Sequence, residues 1–141
     1  MKKIVVAVCL GLFLSINSFQ AFAVDQKGVT VETLSKTGSS WDGSSLPDYP
    51  SAKPEITILR ITIPPGTELP MHEHPVINAG VLLKGQLTVI TEDNKTLNLK
   101  AGESIVEVVG KWHYGKNEGK EPAEIIVFYA GVKDSPITVK K

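Results

Sequence analysis

Cysteine is nearly missing from this chain: Cys9 is the only one, and it sits inside an apolar run near the start. Beyond that run there is no thiol, which excludes a disulfide framework, a cysteine nucleophile and a thiolate metal site. Histidine is almost as scarce, with only His72, His74 and His113, and aromatic residues make up 6% of the chain. No apolar stretch approaches the roughly 20 residues of a transmembrane helix. The 15 basic and 15 acidic residues form no block of one sign and no basic stripe, so nothing resembles a nucleic-acid surface. No helical period runs longer than a turn or two, and no segment repeats.

What the first 23 residues do contain is a leader pattern. Lys2 and Lys3 precede the apolar run Ile4 to Leu14, and Ala21-Phe22-Ala23 forms a small-x-small cleavage site, as in a secretory signal peptide. Cleavage is expected after Ala23, with the periplasm of a bacterium as destination. Paired lysines stand where a folded-export signal has paired arginines, so the chain is expected to cross unfolded and take up any ion outside. The expected product has 118 residues, enough for one domain. Without Lys2 and Lys3 the basic count falls from 15 to 13 against 15 acids, a net charge of −2. That product is expected to have no membrane segment.

The remainder reads as β. Ile56 to Ile63, Val81 to Leu83, Gln86 to Thr91, Thr96 to Leu99, Ser104 to Val109 and Ile125 to Tyr129 are short apolar or β-branched runs. They are separated by turn-forming Gly, Pro, Asn and Asp, a pattern that predicts a small barrel or sandwich. Residues 24–54 differ: serines, glycines and prolines surround Trp41, Leu46 and Tyr49, which is loop composition with a few apolar contacts. This N-terminal arm is expected to lie across the 55–139 barrel as a packed leader, with a lid or a strand exchanged with a second subunit as alternatives.

The histidines carry the chemistry. His72-x-His74 puts two imidazoles on one face of a strand, and His113 offers the third ligand that a transition ion needs. Asn78 is in phase with the pair. Its amide oxygen is either a fourth ligand or a hydrogen-bond partner for a bound water or substrate. Asn117 reads as a turn former, and Gly66, Gly85, Gly102 and Gly110 as strand-end corners.

Gly66, five residues, His72, one residue, His74, three residues, Asn78, six residues, Gly85 resembles the first cupin motif, with Asn78 where glutamate is usual. Gly102, five residues, Val108, one residue, Gly110, two residues, His113, three residues, Asn117 resembles the second, with Val108 where proline is usual. The resemblance implies an all-β double-stranded β-helix, or jelly-roll barrel, with the motif residues at the barrel mouth. It does not select a reaction.

Three neutral imidazoles and at most one amide would leave a divalent ion its full +2 charge. Such a site favours anionic chelating ligands and polarises bound water or carbonyls. Within the cupin family, three-histidine sites without the acid resemble those of non-haem iron oxygenases, which keeps dioxygenase-type chemistry open. The cofactor expected is one divalent transition metal, Fe, Mn, Zn, Cu or Ni; imidazole suits Zn, Cu, Fe and Ni, and the ligands do not choose among them.

Glu107 interrupts an apolar run and is either a buried base near the ion or an outward-facing residue. Arg60 interrupts the isoleucine-rich strand and binds either a substrate carboxylate or an acidic side chain. Trp112, Tyr114, Phe128 and Tyr129 are core residues first and pocket walls second. The leading reading is a metal enzyme on a small chelating molecule; the alternatives are a periplasmic metal or small-ligand binding module and a metal-free barrel. A homodimer through an exposed strand edge is expected as well.

Overall fold

The computed structural model describes residues 28–141, so the leader expected over the first 23 residues lies outside the described residues. The fold lies within Glu32–Lys141. Nine strands appear in it: β1 (Pro54–Ile63), β2 (His72–Glu73), β3 (Ile77–Lys84), β4 (Gln86–Thr91), β5 (Thr96–Lys100), β6 (Ser104–Val106), β7 (His113–Lys116), β8 (Ala123–Val132) and β9 (Val139–Lys140). They form two antiparallel sheets, ordered β1-β8-β3-β6 and β5-β4-β7-β2-β9. This is the all-β jelly-roll arrangement expected from the spacing of the turns.

Alternation along each strand decides which residues meet between the sheets. In β8, Ala123, Ile125, Val127 and Tyr129 are buried, while Phe128 between them faces out. Leu87, Val89 and Thr91 do the same in β4. Ile63, Leu82, Ile105, Ile125 and Val127 from one sheet meet Leu87, Val89 and Leu99 from the other in a single core.

The chain passes between sheets at Gly85, which separates β3 from β4. Its φ is +74°, and a Cβ there would lie 2.7 Å from the Pro122 carbonyl oxygen, so only glycine fits this corner.

Several boundaries differ from the sequence expectation: β3 already begins at Ile77, and β8 extends over Ala123–Val132. The strand expected over 104–109 leaves the regular ladder after Val106, because the chain must cross from one sheet to the other before β7. His113–Lys116 is a strand, although Gly115 within it is a turn-forming residue type. Gly115 is tolerated there because it packs beneath Leu87 and Leu69. The short β9 was not foreseen, since a two-residue strand leaves no periodicity to read, whereas β2 falls where His72-x-His74 pointed to a strand.

Among the described residues 28–53 the arm is extended and carries no strand beyond the isolated Ser39–Ser45 bridge. It lies along β6. Trp41 N donates to Val106 O at 2.9 Å, Ser104 Oγ donates to Leu34 O at 3.0 Å, and Ser40 Oγ donates to Glu107 O at 2.8 Å. Backbone groups on that edge therefore find partners in the arm.

Candidate metal centre

His72 and His113 are register partners across the β2–β7 ladder. Directly opposed residues project from the same face, and their ring centroids are 4.5 Å apart. His74 follows β2 at once; its ring centroid lies 5.0 Å from that of His72 and 5.1 Å from that of His113. One ligand nitrogen from each of the three falls within 4.8 Å of the others.

Which nitrogen points inward is set by the backbone. Nδ1 of His72 lies 2.7 Å from Pro70 O, Nδ1 of His74 lies 2.8 Å from Ile137 O, and Nδ1 of His113 lies 2.9 Å from Lys111 O. A carbonyl only accepts, so each Nδ1 carries the proton and each Nε2 presents a lone pair. That is the second hydrogen bond metal-bound histidines use to fix tautomer and ring orientation. Burial holds His74 and His113 down to a pKa of about 4; the carbonyl partners act against this, and the neighbouring histidines add to it. Near neutral pH both are unprotonated donors. The three side chains thus form one candidate site able to coordinate a single divalent ion.

Glu107 stands just beyond β6, and its Oε2 is 3.7 Å from His113 Nε2. The residue is buried, and burial pushes its carboxyl up to about 7; the Trp41 indole and the Val108 backbone N–H beside it partly oppose the shift. It therefore faces the centre and is not an outward strand residue. Asn78 is fully buried on β3, its Nδ2 donating to Val76 O at 3.3 Å. His72 and His74 belong to the end of the other sheet, so Asn78 approaches from the opposite wall. Arg60 lies on the outer face of β1, where it pairs with Glu124. The structure does not bring it to the centre, because the β1 side chains that line the cavity are Leu59, Ile61 and Ile63, in alternate phase with Arg60.

The imidazoles open into a cavity of about 320 Å³. Its floor is aliphatic, with Ile61, Ile63, Leu87, Ile125 and Val127, and its polar groups besides the histidines are Glu107, Tyr129, Thr138 and Lys140. Tyr129 meets the His74 ring edge-on at 5.3 Å. Burial pushes its phenol up to about 12, as does the Glu107 charge, so it stays protonated.

Some contributors left no trace in the sequence. The carbonyls of Pro70, Lys111 and Ile137 could not be found by residue type, since any residue supplies one. Trp41 had a signal as an aromatic in a polar arm, but its placement beside Glu107 depends on tertiary folding. Asn117, which flanks β7, is structural: Nδ2 donates to Ile63 O at 3.0 Å and Glu121 O at 2.7 Å, and Oδ1 accepts from Gly119 N at 2.9 Å.

A Cupin domain family model matches residues 59–129, half of the chain, and the protein belongs to the cupin family. It is 36% identical over 98 residues to a germin-like protein, subfamily 2 member 2, of Arabidopsis thaliana, covering 65% of this chain and 45% of that one. It is 27% identical over 116 residues to oxalate oxidase GF-3.8 of Triticum aestivum, covering 76% of this chain and 52% of that one. The chain spans about half the length of these curated relatives. Among solved structures, the DMSP lyase DddQ of Ruegeria pomeroyi DSS-3 superposes with a TM-score of 0.54 at 20% identity, over 61% of this chain and 43% of that one. At that identity the likeness is one of fold.

Proposed function

We propose that this cupin is a mononuclear metal enzyme acting on a small molecule with an anionic chelating head and an apolar body. The observation that carries the reading is three Nε2 lone pairs, each fixed by a backbone carbonyl, at the mouth of an aliphatic cavity. A bound divalent ion would supply Lewis acidity and a place for a chelate or O₂. The histidines hold it; the aliphatic wall excludes water and receives the apolar part of the substrate. Lys140 at the cavity wall adds a positive charge that favours an anion. Similarity to an oxalate oxidase supports the class, since oxalate is itself a small chelating dianion.

Dioxygenase-type oxidation is the reaction to test first. Protein purified without chelators or an affinity tag is expected to hold close to one ion per chain, and a His72→Ala, His113→Ala variant none. Iron-loaded protein is then offered chelating anions such as oxalate and β-diketonates, with O₂ uptake recorded. Metal binding without turnover would favour the non-catalytic binding module; no metal in either protein would end both readings. Export to the periplasm belongs to the same proposal, supported by Lys2, Lys3, the Ile4 to Leu14 run and Ala21-Phe22-Ala23. An intact-mass measurement on secreted protein is expected to place Val24 first.

A further inference from the structure

His72 has a second neighbour besides His113. In the sheet order β5-β4-β7-β2-β9 it is the register partner of His113 on one side and of Lys140 on the other. Directly opposed residues project from the same face, so His113, His72 and Lys140 form one row across three strands. The cavity wall agrees: Lys140 and both histidines line it, while Glu73 and Val139, the next pair along the ladder, do not. The Lys140 backbone is pinned on both sides. Ahead of it, Ile137 packs on the core and its O lies 2.8 Å from His74 Nδ1. After it, Lys141 N donates to Met71 O at 3.0 Å.

The ammonium at the end of that side chain lacks an acid. Lys141 engages Glu92 and the face of the Trp112 ring, Lys111 engages Asp42 and Lys116 engages Glu118, but no ion pair among the described residues includes Lys140. The carboxyl among the described residues of the cavity wall, Glu107, is buried beside His113, whereas Lys140 is exposed at the mouth. We infer that Lys140 determines the specificity of the site: the substrate is a carboxylate chelator whose head is shared between the ion and the Lys140 ammonium. The inference rests on the reading that the centre holds an ion, and it narrows the anionic head of that reading to one chemical class. Neighbouring strands lie ~4.8 Å apart, so a lysine opposite a ligand histidine reaches an anion held at that histidine's tip. Its compact ammonium offers three donors to carboxylate oxygens. Chelators then separate by the oxygens they keep. A β-diketonate has two and gives both to the ion. A 2-oxo or 2-hydroxy carboxylate, or oxalate, gives two and keeps at least one carboxylate oxygen for Lys140. The aliphatic floor of Ile61, Leu87 and Val127 receives the apolar group on the far side of the chelating atoms.

The test loads the full chain of the wild type, Lys140→Gln and Lys140→Arg with Co²⁺ and titrates each with pyruvate and with acetylacetonate, following the visible absorption of the bound ion. Both probes bind as monoanions through two oxygens, and only pyruvate keeps a carboxylate oxygen free. All three proteins are expected to hold one Co²⁺ per chain with equal affinity, since Lys140 is not a ligand. Lys140→Gln is expected to weaken pyruvate about tenfold, the loss of a charge-assisted hydrogen bond, and Lys140→Arg to restore most of it. Acetylacetonate is expected to change less than about twofold, as an exposed charge without a direct contact contributes little. Equal pyruvate affinity in wild type and Lys140→Gln overturns the inference. So does a fall of the same size for both anions, which makes Lys140 a general surface charge, and so does a Co²⁺-loaded wild type that binds acetylacetonate and not pyruvate. In each of these cases the three-histidine centre and the proposed function stand. Absence of Co²⁺ binding by the wild type overturns both this inference and the proposed function.

Discussion

His72 and His113 face each other across the β2–β7 ladder with ring centroids 4.5 Å apart. Removing either imidazole leaves a two-nitrogen site with no replacement donor on that ladder. His113→Ala is expected to purify with less than a tenth of the wild-type metal. A ligand that binds only the native state stabilises it by RT ln(1 + [L]/Kd), about 4 kcal/mol at a thousandfold excess over Kd. Scanning calorimetry with and without chelator is therefore expected to lower the wild-type Tm by several degrees and to leave His113→Ala unmoved.

The two buried histidines set a pH window. Their folded pKa of about 4 lies below the ordinary 6.5, so between those values the unfolded chain binds more protons than the native one. Their contribution to metal-free stability is complete above pH 6.5 and is lost as pH falls toward 4. A tenfold change in proton affinity corresponds to about 1.4 kcal/mol, so each imidazole accounts for roughly 3 kcal/mol over the window. Urea unfolding of chelated protein at pH 7 and pH 4.5 is expected to show a marked fall. Protons compete for the same Nε2 atoms, so metal affinity falls over that range too.

Glu107 works in the opposite sense. Its folded pKa of about 7 stands above the ordinary 4.5, so the native state holds a proton that the unfolded chain has released. Its contribution is most favourable below pH 4.5 and is lost as pH rises through 7. Glu107→Gln, neutral throughout, is expected to gain up to about 3 kcal/mol on metal-free wild type between pH 4.5 and 8. Denaturant midpoints of both proteins across that range check the slope.

Much of the fold was legible because motif spacing and turn chemistry are local. Gly66, Gly85, Gly102 and Gly110 all have positive φ, as strand-end corners require, and the strand from Gln86 to Thr91 matches residue for residue. The histidines were legible for a different reason: three residues of one type, two at strand spacing, leave few arrangements. The depth of the site was not. Glu107 and Asn78 are brought opposite each other by a ladder 29 residues apart in sequence, and nothing local in either segment states that pairing. His74 is held by Ile137 O, 63 residues away, and a main-chain acceptor has no signature in sequence. Asp42 lies in a serine- and glycine-rich stretch that carries no local mark of what it pairs with.

In the folded chain Asp42 reaches the metal centre in two steps. Its side chain has no exposed surface; the carboxylate accepts from Lys111 Nζ and from Ser44 N at 2.9 Å, with Lys95 Nζ 3.8 Å away. Lys111 O in turn lies 2.9 Å from His113 Nδ1 and sets that ring. Although burial acts to raise it, the hydrogen bonds from Lys111 and Ser44 hold the Asp42 carboxyl well below its ordinary 3.8. The native state thus favours the ionised form, and the stabilisation it gives is present above pH 3.8 and lost as pH falls below. Asp42→Asn leaves Lys111 with only Asp93, 3.8 Å away, and is expected to cost roughly 2 kcal/mol at pH 7. It is also expected to weaken Co²⁺ binding about tenfold by loosening the loop that carries the His113 acceptor. Thermal unfolding and Co²⁺ titration of the variant at pH 7, with unfolding repeated at pH 3, separate the two effects. The stability penalty should shrink at the lower pH. A variant that unfolds earlier yet binds Co²⁺ as the wild type does would confine the arm to a packing role and detach it from the centre.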